Sequence, residues 1–318
     1  MKISKKYYFS IIIVIFLCFL IFYINTSNCT TKNSDPLPYE DNDTSLYDGP
    51  SDDKESSTGT DSNNISEEEL KKSEEKITKI KKQISTILDD NSNYYGIYYY
   101  DIKTEKGFSI NPDKPFIAAS TVKVPIAMMI ADKLQDKTLS PSDRLTYLDK
   151  YYMEGAGDLQ GAINQGDKIS IDDLLKYMIV NSDNIACNML STVAGNRTDY
   201  FQKVTSQTIN EDENVLTITQ QFLMLKKLYE NEEKNPYYDK IIEYMKNTTT
   251  HDRLDKYVPP NIVAHKIGDY EESVNDIGIF YTTDPYILCI FSSGDELDTE
   301  TENIAKISKF IYELNLNN

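Results

Sequence analysis

The sequence predicts an α+β domain in which an antiparallel sheet is flanked by terminal helices, with an all-helical block inserted between its strands. Three observations lead to this prediction. β-Prone segments occur at residues 94–110 and again at 262–291. Amphipathic helical patterns lie before the first segment and after the second, and residues 135–260 between them are mostly helical in pattern. We therefore expect strands from both ends of the domain to join in one sheet.

Residues 1–24 have the pattern of a signal anchor or transmembrane segment. Three lysines precede an uncharged apolar run, residues 7–24, that is just long enough to span a bilayer. The positive flank places the N-terminus in the cytoplasm, so we expect a single-pass protein of the cell membrane with its folded domain extracytoplasmic. Two alternatives stay open, a cleaved signal and a lipoprotein that uses Cys29.

Residues 25–65 have the pattern of an acidic disordered linker. They are rich in Ser, Asp, Asn and Thr and show no apolar periodicity. The formal net charge of the chain is −18, and residues 35–69 hold twelve acidic residues and one basic residue. This acidity argues against a nucleic-acid partner. The folded domain then covers residues 66–318.

The elements of this domain follow from local patterns. Apolar residues between Leu70 and Leu88 share one face of a helix. Residues 94–102 alternate, residues 103–106 turn and residues 107–110 return, which predicts a hairpin. The clearest later helices are predicted at residues 171–180, 184–193, 219–229 and 302–314, and the later strands at 262–266, 275–281 and 286–291.

Residues 116–134 form the most informative stretch. Ser120 and Lys123 stand at the start of a dense apolar run, which predicts a helix that is buried nearly all round. Pro125 is tolerable only in the first turn, so the helix begins at about Ser120. The two side chains then lie one turn apart on one face. Desolvation and the positive end of the helix lower the pKa of such a lysine, which makes it a proton acceptor for the serine.

Two further short motifs stand out. Residues 182–184 read Ser-Asp-Asn in a break between two predicted helices, and residues 266–268 read Lys-Ile-Gly at the end of a predicted strand. Each feature has a structural alternative when taken singly. Ser120 could cap its helix, Lys123 could lie at the surface, the Ser-Asp-Asn stretch could be ordinary turn chemistry, and Gly268 could mark only a strand end. Their occurrence together and in this order favours a site.

Ser-x-x-Lys, Ser-Asp-Asn and Lys-Thr-Gly are the signature set of class A β-lactamases and penicillin-binding proteins. This sequence resembles that family, class A most closely, over roughly residues 77–314. The resemblance implies a β-lactamase/transpeptidase-like fold. It also implies an active-site-serine acyl hydrolase that forms an acyl-enzyme on Ser120 with β-lactams and hydrolyses the amide, and the departures from the family given below lead us to expect slow hydrolysis. Two alternatives stay open: a D-Ala-D-Ala carboxypeptidase acting on cell-wall peptides, and a non-hydrolytic β-lactam sensor or wall-binding module.

The resemblance also implies four catalytic residues. Ser120 would be the nucleophile, and Lys123 would take its proton directly or through water. Ser182 would relay a proton towards the leaving nitrogen, and Lys266 would supply positive charge for the relay and for the substrate carboxylate. Asp183 would brace its loop rather than touch substrate.

Three more residues are implied in substrate binding: Asn184, Gly268 and Asp269. Asn184 would hold Lys123 and the substrate amide, and the backbone N–H groups of Ser120 and Asp269 would form the oxyanion hole. The partner is then a β-lactam or a peptidoglycan stem peptide. We expect no cofactor, no metal and a monomer.

The sequence departs from the family in two places. Ile267 replaces the hydroxyl residue of Lys-Thr-Gly, which should weaken β-lactam binding. Class A enzymes also carry a Glu-x-x-Leu-Asn loop whose glutamate activates the deacylating water. The stretch between Asn184 and Lys266, which would carry this loop, is short here. Glu213 lies in the nearest match to the motif and is the candidate for the deacylation base. Glu154 is a weak candidate for the rim of the site, and His265 is expected to be packed or exposed rather than catalytic.

Overall fold

The computed structural model describes residues 65–209, 214–294 and 296–316. Its central sheet contains five strands: β1 (Tyr95–Asp101), β2 (Lys106–Ile110), β7 (Val263–Tyr270), β8 (Ser273–Phe280) and β9 (Tyr286–Ser292). They lie in the order β2-β1-β9-β8-β7, and every neighbouring pair is antiparallel. Because β1 pairs with β9, strands from both ends of the domain form one sheet, and the predicted α+β fold is confirmed.

Eight α-helices lie within the described residues. They are α1 (Glu67–Leu88), α2 (Lys123–Gln135), α3 (Ile171–Val180), α4 (Asn184–Ala194), α5 (Arg197–Thr205), α6 (Ile218–Glu230), α7 (Pro236–Lys246) and α8 (Leu297–Leu316). Helices α2 to α7 are the helical block inserted between β2 and β7. The N-terminus of α1 carries a capping box, in which Ser66 Oγ accepts from Glu69 N and Glu69 Oε2 accepts from Ser66 N.

The sheet is buried on both faces, and β9 shows how. Ile287 and Phe291 pack against the helical block, while Leu288 and Ile290 pack against the terminal helices α1 and α8. This alternation follows from the two-residue period of a strand. The terminal helices therefore cover one face of the sheet and the helical block covers the other.

The element boundaries differ from the sequence predictions in a few places. Strand β7 continues to Tyr270 because β8 pairs with it along its whole length. Helix α8 begins at Leu297, five residues before the predicted start. Two ribbons were not predicted, because strands of three residues are too short to show periodicity. They pair β3 (Pro115–Ile117) with β6 (Val215–Thr217) and β4 (Arg144–Thr146) with β5 (Lys168–Ser170).

The predicted anchor, residues 1–24, lies outside the described residues, as does the linker apart from Ile65. Among the helices that the structure does describe, none combines the length and apolar character needed to cross a bilayer.

Candidate active site

The chain enters α2 through a tight 3₁₀ turn, Ala119–Val122, and the α-helix itself begins at Lys123. Pro125 lies in the first turn, as predicted. Ala119 has a φ of 49°, in the left-handed region that costs a non-glycine residue energy, so the backbone is strained directly before Ser120. No side chain caps either helical segment, which excludes a capping role for Ser120.

Lys123 contacts three other residues of the site through its amine. Its Nζ lies 2.9 Å from Ser120 Oγ and 2.7 Å from Asn184 Oδ1, and it also donates to the carbonyl of Ser182. The side chain is 3% exposed, which excludes the surface alternative. Burial lowers the pKa of Lys123, and the opposing influence of Cys187 and Asp183 does not restore it. A neutral amine beside the hydroxyl can act as a base.

Ser182 joins the two lysines of the site. Its Oγ lies 3.3 Å from Lys123 Nζ and accepts a hydrogen bond from Lys266 Nζ at 2.9 Å. Ser182 has a φ of 55°, a second left-handed non-glycine position at the site. Asp183 is fully buried and accepts from the N–H groups of Leu159 and Ala186, both at 2.8 Å. Asp183 therefore ties the start of α4 to the loop between β4 and β5, which contains Leu159.

Lys266 is 1% exposed and reaches Ser182 from the middle of β7. Burial and the neighbouring charge of Lys123 lower the pKa of Lys266 to about 7. Its ammonium is therefore only partly protonated at neutral pH. Both lysines therefore lie next to the Ser182 hydroxyl. A positive charge on Lys123 disfavours protonation of Lys266.

Gly268 lets β7 approach the Ser120 turn. A side-chain carbon there would lie 2.7 Å from Ala118 O and 2.9 Å from Ser120 N, closer than folded proteins allow. The backbone of Gly268 and Asp269 consequently runs beside the nucleophile. Only glycine fits at this position without a clash. Gly268 does not mark the end of the strand, since β7 continues past it to Tyr270.

A cleft of about 350 Å³ opens in front of these groups. Its lining includes Ser120, Ser182, Lys266, Ile267 and Asp269, together with three threonines at residues 248–250. The structure thus brings the four predicted catalytic residues together with Asn184, Gly268 and Asp269. The roles assigned to them, including the backbone oxyanion hole, stay predictions.

Arg253 is a residue of this region that the sequence analysis missed. It is buried, its Nη1 donates to Asn275 O at 2.9 Å, and its Nη2 forms an ion pair with Asp269 Oδ1 at 2.6 Å. Burial raises the pKa of Asp269, and the guanidinium opposes this shift. No motif marks Arg253 in the sequence. Asp269, which lines the cleft together with Ile267, is thus paired with a buried cation.

Two candidate acids of the sequence analysis have different outcomes. Glu154 borders the site through its backbone, where its carbonyl accepts from Asn184 Nδ2 at 3.3 Å. Glu213 lies outside the described residues. Asn214 beside it was not predicted; its Nδ2 donates to Ala119 O at 3.1 Å and its carbonyl accepts from Ala118 N. The segment between α5 and β6, residues 206–214, is short, as expected.

Comparisons with known proteins agree with this geometry. The model of the beta-lactamase enzyme family matches residues 79–314. The chain belongs to the beta-lactamase enzyme family. Beta-lactamase VEB-1 of Pseudomonas aeruginosa is 23% identical over 268 residues, which cover 74% of this chain and 90% of that protein. The extended-spectrum beta-lactamase PER-1 of the same species is 24% identical over 269 residues, covering 74% and 87%.

Solved structures share the fold. The structure of PBP-A has a TM-score of 0.69 and 22% identity, covering 76% of this chain and 97% of that one. The extended-spectrum beta-lactamase TLA-1 has a TM-score of 0.67 and 24% identity, covering 75% and 98%. As a member of the beta-lactamase family with an intact serine and lysine pair, the protein is a serine hydrolase.

Proposed function

We propose that this enzyme forms an acyl-enzyme on Ser120 with β-lactams, in the manner of class A β-lactamases, and hydrolyses it slowly. One observation carries the proposal. Ser120 Oγ lies 2.9 Å from the buried amine of Lys123, whose pKa is lowered, at the floor of a cleft. A nucleophile and a base at hydrogen-bond distance are what acyl transfer requires.

The acylation step follows from these contacts. Ser120 Oγ attacks the carbonyl carbon of the lactam amide as Lys123 Nζ takes the hydroxyl proton. The C–N bond then breaks, and the leaving nitrogen receives a proton through Ser182 Oγ, which bonds to Lys266 and lies beside Lys123. Backbone N–H groups of Ser120 and Asp269 would stabilise the oxyanion, a feature typically worth about 3–4 kcal/mol of barrier.

Slow deacylation is the second half of the proposal. Hydrolysis of the ester needs a base that activates water, and a carboxylate serves this purpose in class A enzymes. Among the described residues that line the cleft, Asp269 is the sole carboxylate, and it is ion-paired with Arg253. The segment that would carry another carboxylate, residues 206–214, is short. These features support a long-lived acyl-enzyme.

The β-lactam substrate is inferred from relatives. The curated relatives are β-lactamases, and a solved structure of a PBP-A mutant is an acyl-enzyme complex with penicillin G, with a TM-score of 0.68 at 22% identity. Because the same acylation chemistry serves other acyl donors, a D-Ala-D-Ala carboxypeptidase is the second candidate. The scarcity of carboxylates in the described part of the cleft also favours a non-hydrolytic β-lactam sensor.

Intact-mass spectrometry over time separates these candidates. The purified chain is mixed with benzylpenicillin, with Ser120→Ala as the control that lacks the nucleophile. An adduct that forms quickly and decays slowly to hydrolysed product supports the proposal. A permanent adduct supports the sensor, and a permanent adduct with cleavage of a D-Ala-D-Ala peptide supports the carboxypeptidase. Absence of both an adduct and hydrolysed product, or an equal adduct on Ser120→Ala, contradicts acylation at Ser120, and rapid formation of product without an adduct contradicts slow deacylation.

We also propose that residues 1–24 anchor the enzyme in the cell membrane, with the catalytic domain extracytoplasmic. The apolar run and its lysine flank support this proposal. External protease should remove the domain from intact cells while the N-terminus stays protected. Recovery of full-length protein in the cytosolic fraction would contradict it. We further expect the enzyme to act as a monomer.

A further inference from the structure

The chain contains two histidines, and the fold brings both to one carboxylate. His251 lies in the loop after α7, and His265 lies on β7. His251 Nδ1 contacts Asp255 Oδ2, and His265 Nε2 lies 3.3 Å from the same oxygen. One ligand atom from each of these three residues lies within 4.8 Å of the other two. This arrangement disagrees with the expectation of no metal, because the fold adds a carboxylate to the two histidines.

The orientation of His265 suits a metal ligand. Its Nδ1 lies 3.0 Å from Asp276 Oδ2, and that carboxylate accepts from Leu254 N at 3.1 Å. Asp276 is fully buried, so it holds the ring in one orientation, with Nε2 directed at Asp255. A carboxylate on the second ring nitrogen is the usual support of a zinc-bound histidine.

The spacing of His265 and Asp255 also fits. Zinc bonds to nitrogen and oxygen are about 2.0–2.1 Å long, so ligand atoms around a tetrahedral ion lie roughly 3.3 Å apart. The distance from His265 Nε2 to Asp255 Oδ2 is 3.3 Å. His251 Nδ1 contacts Asp255 Oδ2 directly, so His251 must turn to admit an ion between them, and its side chain is 50% exposed and free to do so. Thr248 Oγ1 lies 2.9 Å from His265 Nε2, so an ion bound to that nitrogen would have a hydroxyl oxygen close to it.

The charge of the cluster calls for a cation. Asp255 and Asp276 are both buried, and Asp255 Oδ1 has no hydrogen-bond partner within the described part of the chain. Burial of carboxylates is costly unless positive charge or hydrogen bonds compensate. A divalent ion bound between these groups would supply positive charge next to the buried carboxylates, with both histidine rings as neutral ligands.

We propose that His251, Asp255 and His265 form a binding site for one divalent transition-metal ion, for which Zn²⁺ is the best fit. The site lies behind the active site, because His265 precedes Lys266 on β7 and Thr248 contacts both His265 and the cleft. Its occupancy stabilises the strand that carries Lys266. The proposal is independent of the acyl-transfer function.

The test uses the purified full-length chain, stripped with a chelator and titrated with Zn²⁺ against a chromogenic indicator. His251→Ala removes a half-exposed ligand, and Asp255→Asn removes a carboxylate at constant volume. Glu272→Gln is the matched control, since it removes an exposed carboxylate from the β7–β8 turn. Melting curves of the metal-free variants verify that each one folds, and Co²⁺ absorption in the visible range reports the ligand geometry.

We expect one ion per chain, with binding that strengthens as the pH rises and a raised melting temperature. His251→Ala should lose at least about tenfold in affinity, the lower end of what disturbing a metal ligand set costs. Glu272→Gln should bind as the parent does. No binding at millimolar Zn²⁺, or equal binding by His251→Ala and the parent, would overturn the proposal.

Discussion

Lys123 Nζ lies 2.9 Å from Ser120 Oγ, with both groups carried by the strained entry to a buried helix. The same amine is held by Asn184 Oδ1 at 2.7 Å, so its position does not depend on the serine alone. Preorganisation of this kind allows a lysine to replace the histidine of other serine hydrolases.

Lys123→Ala should suppress acylation strongly. Removal of a general base typically costs ~10²–10⁴-fold, and the site offers no histidine to take its place. The measurement is the rate of covalent labelling by a fluorescent penicillin. Lys133→Ala is the matched control, because Lys133 lies on the same helix but donates to the carbonyl of Val193, at 2.7 Å. Acylation by Lys123→Ala within tenfold of the parent would show that the base is another group.

The acylation rate should fall as the pH rises through about 7. Lys266 has its pKa lowered to about 7, so it loses its positive charge above that pH. Substrate carboxylates and the proton relay are then less well stabilised. In Lys266→Arg the charge persists, because arginine stays protonated throughout this range. The variant should therefore lack the falling limb in a profile of the second-order acylation rate constant. A falling limb of equal position in both proteins would assign it to a different group.

Asp269→Asn should accelerate acylation by anionic β-lactams. The Asp269 carboxylate neutralises Arg253 and faces the cleft, where it repels a substrate carboxylate. Like charges about 4 Å apart repel by about 1 kcal/mol in water, and more in partly buried sites. We expect roughly a fivefold increase with benzylpenicillin and little change with an uncharged ester. Glu272→Gln again serves as the control for loss of one acid. A slower reaction of Asp269→Asn with benzylpenicillin would show that the carboxylate helps binding.

Glu213→Gln tests the one remaining candidate for a deacylation base. With a chromogenic cephalosporin, the parent should show a burst followed by a low steady rate, and the variant should behave in the same way. The reason is that efficient turnover needs a carboxylate positioned on water, and the connecting segment is short. Rapid turnover by the parent that stops in Glu213→Gln, with the adduct accumulating, would instead identify Glu213 as the base.

Much of the architecture was predictable from sequence because its signals are local. β-Prone residues marked β1 and its hairpin, helical periodicity marked both ends of α3, and Pro125 marked the first turn of α2. The three short motifs indicated the family, since acyl transfer by a serine without histidine needs a lysine close to it. Three-residue strands such as β3 carried too few residues to show a period.

The residue types alone indicate which groups are available: a serine with a lysine one turn away, a second serine, a second lysine and a glycine. Which of these groups meet depends on how the helices and strands pack. Ser182 lies between Lys123 and Lys266 because α4 and β7 pack against the entry to α2, and burial in that contact lowers the pKa of Lys266. The Arg253–Asp269 pair and the two histidines on Asp255 likewise join residues with no shared motif. Such pairs form only when elements distant in the chain pack together, so local sequence periodicity does not predict them.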